Sequence, residues 1–230
     1  MPGQKINAHF IEPMLLHRAD KLPEGGLWVY ELKLDGFRAE AIKSDGRVHL
    51  RSRNDKDFNT QFPAIVRGRG AMPDETVIDG EVVAVDESGR PSFSALQNND
   101  TARLLYYVFD VMVLDGRDVT NEPLTVRREV LRDRVLAKLA EPIRESPLFE
   151  SGLTELVCAV KAQGLEGLVQ PGRPRVHLRP CKTGTEQEIK GRLMRASVHI
   201  PGNLRTKGTG RISSRNRAYQ GLITPGSAAC

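Results

Sequence analysis

Apolar and polar residues alternate in several short runs, and the runs come in pairs. Arg38-Ala-Glu-Ala-Ile-Lys43 and Val48-His-Leu-Arg-Ser52 each alternate as half-buried strands do. Between them lies Ser44-Asp45-Gly46-Arg47, where Asp-Gly predicts a tight hairpin turn. Trp28-Val-Tyr-Glu-Leu-Lys33 reads as a strand leading into this hairpin. A second pair, Thr76–Val85 and Leu104–Leu114, is rich in Val and aromatics, and each run contains or ends in Asp-Gly. A helical period follows. Thr125 is the predicted N-cap of a helix over Val126–Leu139, with apolar residues at Val126, Val130, Leu131, Val135 and Leu139. A second helix is predicted over Leu153–Gln163, closed by Gly164. Strands in hairpin groups with helices between them predict an α+β fold, antiparallel sheets flanked by helices, rather than a doubly wound parallel sheet.

The texture changes after Val169. Val176, Leu178, Ile189, Leu193 and Met194 fall into no sustained period, Gly and Pro recur, and residues 170–230 hold no Phe or Trp. Such a segment buries too little to offset its ordering entropy. The expected organisation is therefore a domain over 1–169 and a poorly ordered tail over 170–230. Charge divides at the same place. The tail carries 12 Lys and Arg against 2 acidic residues, a net +10, and the rest carries 22 against 27, a net −5. Twelve cations can attract phosphates without sequence preference. No apolar run approaches the roughly 18 residues that a membrane helix needs, and no membrane association is expected. The first residues, MPGQKINAHF, lack the apolar run of a secretory signal, so the default location is cytoplasmic. Cys158, Cys181 and Cys230 are an odd number without a CxxC pair, which predicts unpaired thiols rather than a disulfide framework or a zinc site.

The candidate chemistry centres on Glu31-Leu-Lys33-Leu-Asp35-Gly36-Phe37-Arg38. A lysine at a strand end before an Asp-Gly turn can project its amine over a sheet, and it needs a neighbouring cation or desolvation to act as a nucleophile. Taken alone, the frame also fits a solvated edge-strand lysine. The pattern K-x-D-G-x-R nevertheless resembles the first motif of the covalent nucleotidyltransferases, and further motifs follow in order. Ser52-Arg53-Asn54 is similar to the S-R motif, Asp79-Gly80-Glu81 to D-G-E, Tyr107-Val-Phe109-Asp110-Val111 to the F-D motif, and Glu166-Gly167-Leu168-Val169 to E-G-h-V, with h apolar. Together with Pro13-Met14-Leu15 and the run Asp74–Asp86, these resemble the ATP-dependent DNA ligases of bacterial repair and end joining, over roughly Asn7 to Val169.

The resemblance implies a nucleotidyltransferase (adenylation) domain that uses ATP and Mg²⁺. Lys33 would attack the α-phosphorus and become lysyl-AMP. Glu31 would accept a hydrogen bond from the adenine amine, Phe109 would stack on the base, and Arg38 and Arg53 would hold sugar and phosphate oxygens. Glu81 would bond the ribose or, with Glu166, hold the metal. Structural alternatives stay open for each: a core aromatic at Phe109, surface ion pairs at Arg38 and Arg53, and solvated carboxylates at Glu81 and Glu166. Asp35 and Asp79 read as turn formers. Implied partners are nicked or broken duplex DNA and end-joining repair proteins, acting on a monomer.

After Val169 the resemblance stops. Gln170-Pro171 stands where the family continues to a basic residue, and no W-x-K-x-K motif follows. The tail also lacks the length and alternation of an OB-fold. The domain is thus expected to be incomplete at its C-terminal end and its OB-fold absent. Two other readings remain: an inactive ligase remnant binding nucleic acid through the basic tail, and a related RNA ligase or capping nucleotidyltransferase.

Overall fold

A computed structural model describes residues 5–22, 28–86, 89–97, 103–150, 152–171 and 196–199. The alternating runs form the predicted ladders. Strands β1 (His17–Arg18), β2 (Glu31–Lys33), β3 (Phe37–Ser44) and β4 (Arg47–Ser52) come first. Then follow α1 (Pro63–Gly68), β5 (Thr76–Val85), α2 (Phe93–Gln97), β6 (Arg103–Leu114) and β7 (Arg117–Asp118). The last elements are α3 (Leu124–Val130), β8 (Ile143–Glu145), α4 (Leu153–Ala162), β9 (Gly167–Gln170) and β10 (Ala196–His199). The larger sheet runs β4-β3-β5-β6, with β7 antiparallel and β8 parallel to β6. The smaller runs β1-β10-β9-β2. This is the expected α+β class. Of the basic segment, Gln170, Pro171 and β10 are described, and β10 pairs with β9. The expectation of a poorly ordered tail otherwise falls outside the described residues.

Turn chemistry sets the hairpins. Asp45 and Gly46 have φ of 50° and 70°, and Asp115 and Gly116 have 50° and 77°. Positive φ at both central residues is the turn whose twist matches paired strands. The helices depart from expectation at their ends. The helix starts at Leu124 after Pro123, so Thr125 is not its cap. Leu124, Leu131 and Val135 are buried, whereas Val126 is exposed. The helical path continues past α3 through a π turn and a 3-10 turn to Lys138. Helix α4 ends at Ala162 with Gly164 at φ 64°. Cys158 is disulfide-bonded, which corrects the expectation of unpaired thiols.

The large sheet has two differently covered faces. One packs Ala39, Ala41, Ile78, Val82 and Tyr106 against α1, α2 and the α3 region. The other packs Val83, Val85, Leu105 and Tyr107 against Tyr30, Leu32, α4 and Leu168 of the small sheet. A strap over residues 5–11 adds a third cluster, with Ala8 on Ile42, Val77 and Val113. Its backbone is pinned by Ile6 N–H to the Gly116 carbonyl (2.8 Å) and Ile11 N–H to Glu40 Oε2 (3.1 Å).

Glu40 is 1% exposed. Burial is the main cause that pushes its carboxyl up to about 8, with Asp79 adding repulsion. Between its ordinary 4.5 and about 8, the folded chain keeps a proton that the unfolded chain releases. Folding stability therefore falls as pH rises through that window. Replacing Glu40 by Gln is expected to flatten this limb by up to about 1.4 kcal/mol per pH unit in urea titrations. An unchanged slope would show that Glu40 titrates alike in both states.

Candidate active site

Strand parity gathers the chemistry on one face. In β3, Arg38 and Glu40 alternate with Phe37, Ala39 and Ala41, which point into the helix-covered core. Arg38 pairs with Glu81 and Glu40 with Asp79 across β3 and β5. Four ionisable side chains thus form a square with one cation and three carboxyls. Arg38 donates from Nε to Asp79 Oδ1 (2.7 Å) and from Nη2 to Asp79 Oδ2 (2.6 Å). Burial acts to lower Arg38, but Asp79 outweighs it and holds the guanidinium above its usual value. Asp79 is 3% exposed in mid-strand, so it is a fixed partner of Arg38 and not a turn former. Glu81 is left without that cation. Burial raises it to about 8, with Asp79 and Glu166 adding to the rise and Arg38 and Lys33 opposing it.

Both motif glycines permit close backbone approach. A Cβ on Gly36 would lie 2.2 Å from the Val82 carbonyl oxygen, and one on Gly80 would lie 2.5 Å from that of Tyr107. Beside Gly80 the register passes from Asp79↔Asp110 to Gly80↔Val108, which leaves Phe109 as an extra residue on β6. Such a bulge re-aims a side chain. The Phe109 ring faces the cleft and carries the Arg38 guanidinium 4.7 Å from its centroid.

The cleft, of about 350 Å³, is lined by Lys33, Glu31, Arg38, Arg53, Glu81 and Phe109. That brings together every sequence-predicted site residue except Glu166, and Lys33 Nζ hydrogen-bonds to Glu166 Oε1. Both partners are about a quarter exposed, at 27% and 23%. Glu166 Oε2 is buried without a hydrogen-bond partner. Ser52 Oγ accepts from Asn54 N–H (3.3 Å) and Lys56 N–H (3.0 Å), which shapes the turn presenting the exposed Arg53. Leu15, Val169 and Pro171 supply apolar wall. Among the described residues no cluster of three His, Cys, Asp or Glu could hold a metal, so Glu81 and Glu166 would need phosphate oxygens and water to complete a coordination shell.

Several residues that shape the site were missed. Glu31 is held by Arg128 Nη1 and by Ser146 Oγ (3.1 Å). Asp110 is gripped by Arg127 from Nε and Nη2, both at 2.8 Å. The available signal was periodicity, because Arg127 and Arg128 occupy positions between Leu124 and Leu131 where the buried stripe calls for apolar residues.

The chain belongs to a known family: the model of the ATP-dependent DNA ligase domain matches residues 13–171. The multifunctional non-homologous end joining protein LigD of Pseudomonas aeruginosa is 33% identical over 172 residues, covering 73% of this chain and 20% of that protein. LigD of Mycobacterium bovis is 31% identical over 210 residues, covering 86% of this chain and 26% of that one. The latter alignment takes in more of the chain than the residues up to Pro171 make up, so it continues into the basic segment. A solved mycobacterial DNA ligase D complexed with ATP and MES superposes with a TM-score of 0.58 at 26% identity, over 76% of this chain and 55% of that one. The chain thus spans about a fifth to a quarter of the length of these curated relatives.

The Asp110–Arg127 pair is almost buried, at 7% and 10% exposure. Arg127→Ala would strand the carboxylate, and a loss of about 3–5 kcal/mol is expected in urea denaturation. Arg127→Ala combined with Asp110→Asn should lose less. Equal losses would show that the pair is not the source of the effect.

Proposed function

We propose that this chain carries out the nucleotidyl transfer of an ATP-dependent DNA ligase, with Lys33 as the nucleophile. The observation that carries the reading is the Lys33–Glu166 hydrogen bond at a cleft whose walls hold Glu31, Arg38, Arg53, Glu81 and Phe109. A volume of about 350 Å³ suits a nucleotide.

Lys33 Nζ bonds to the α-phosphorus as the bond to pyrophosphate breaks, which gives lysyl-AMP. Glu166 Oε1 is the acceptor nearest the proton that the attack releases. Covalent capture splits one hard step into two. Phe109 stacks on the adenine, Glu31 accepts from its amine, and Arg38 and Arg53 hold sugar and phosphate oxygens. Glu81 and Glu166 suit Mg²⁺, because one is a carboxyl without its own cation and the other has an oxygen without a partner. When bound, Mg²⁺ would neutralise charge on the phosphates. The following steps move AMP to a DNA 5′-phosphate and let a 3′-hydroxyl displace it. The net +10 of residues 170–230 supplies attraction for DNA. The absence of a W-x-K-x-K motif from that segment makes slow capture the expectation, at about 10²–10³ in rate for each missing cation.

The test is incubation with α-labelled ATP and Mg²⁺, then denaturing electrophoresis, then a chase with nicked duplex. A covalent label that disappears in Lys33→Ala and falls about 10²-fold or more in Glu166→Ala is expected. Transfer of the label to DNA would establish the second step. No label at any enzyme concentration would favour the nucleic-acid-binding remnant. A label that survives Lys33→Ala would overturn the assignment of the nucleophile.

A further inference from the structure

Glu31 does not stand alone in the cleft wall. Its Oε1 takes a hydrogen bond from Arg128 Nη1, and its Oε2 takes one from the Ser146 hydroxyl at 3.1 Å. Arg128 Nη2 also donates to the Ser146 carbonyl, so one guanidinium ties both residues together. Ser146 is set independently of Glu31, because its N–H donates to the Val108 carbonyl at 2.8 Å, one residue before Phe109. Glu31, Arg128 and Ser146 are 5%, 3% and 2% exposed, while Glu31 and Ser146 both touch the cleft. Glu145 lies 3.9 Å from Arg128 and is itself held by Arg132 at 2.9 Å, so two arginines face two carboxylates.

We propose that Arg128 and Ser146 clamp Glu31 as a carboxylate that can only accept, and that this clamp makes the cleft prefer a 6-aminopurine to a 6-oxopurine. The proposal rests on the reading that a purine base lies in this cleft. A carboxylate has about four acceptor sites, and the clamp uses one on each oxygen. The remaining lone pairs can receive an exocyclic amine, as on adenine. The corresponding edge of guanine presents O6, another acceptor. Two acceptors facing each other leave buried polar groups unpaired, which is the strongest form of discrimination available to a small pocket. Arg128 enforces it by charge, since with a guanidinium on Oε1 the carboxylate carries no donor of its own. Ser146 enforces it by geometry, by fixing the carboxyl plane relative to the strand that carries Phe109. Arg128 and Ser146 are positioning residues in this scheme, acting through Glu31.

The experiment measures dissociation constants of the full chain for ATP and for GTP by calorimetry, in EDTA so that no transfer occurs. Wild type is expected to prefer ATP. Ser146→Ala should lower the GTP-to-ATP ratio of dissociation constants about 3–10-fold, and Arg128→Met about 10–100-fold. Arg128→Lys, which keeps the charge but not the fork, should recover part of the ratio. Should Arg128→Met fail to fold, Ser146→Ala decides. A purely structural role would weaken both nucleotides together, and an unchanged ratio in folded Ser146→Ala overturns the proposal. A wild type without preference overturns it also. A wild type that binds neither nucleotide overturns the reading of the cleft itself.

Discussion

The site depends on one guanidinium among three carboxyls. Arg38, Glu40, Asp79 and Glu81 are neighbours on β3 and β5, with Glu40 and Asp79 buried, and only one of the four is a cation. Arg38 commits both prongs of its fork to Asp79. Burial then leaves Glu40 and Glu81 each near 8, and they meet the shortage of positive charge differently. Glu40 accepts a backbone N–H from the strap and closes the fold on that side. Glu81 opens into the cleft, where the cations that act on it are Arg38, already committed to Asp79, and Lys33, itself bound to Glu166. The cleft is thus a place where carboxyls outnumber the cations available to them, and that asymmetry is what a nucleotide-bound cation can relieve.

Much of this was legible in the chain. The first hairpin followed from Asp45-Gly46, and the strand face from the alternation of Arg38 and Glu40 with Ala39 and Ala41. The motifs located six of the cleft residues, Glu31, Lys33, Arg38, Arg53, Glu81 and Phe109. What was not legible depended on contacts far apart in sequence. Asp79 reads as half of a turn dipeptide until β3 brings Arg38 beside it, 41 residues away. The bulge that turns Phe109 toward the cleft was not legible either, because a bulge is a mismatch between two strands and has no signature in either one. Thr125 is a chemically good cap, yet Pro123 starts the helix by its own fixed φ and Leu124 is needed in the core. Arg127 and Arg128 broke a periodic pattern, and their carboxylate partners lie 17 and 97 residues away.

These two arginines explain how a cleft between two sheets keeps its shape. Arg127 fastens α3 to Asp110 on β6, and Arg128 fastens it to Glu31 on β2. Consecutive residues on one short helix therefore grip one strand from each sheet. Both contacts are almost fully buried, where a charge pair is costly to break even if it adds little to net stability. The proposed base-binding side is built on them: Glu31 is clamped directly, and Phe109 adjoins Asp110. The proposed reacting side is built differently. Lys33 and Glu166 are about a quarter exposed, and Arg53 stands on a turn. A rigid floor can fix the purine while the lysine side chain, paired only at the mouth, keeps the freedom to exchange Glu166 for a phosphorus atom. Placing the buried ion pairs under the base and the exposed one at the nucleophile separates selection from reaction within a single cleft.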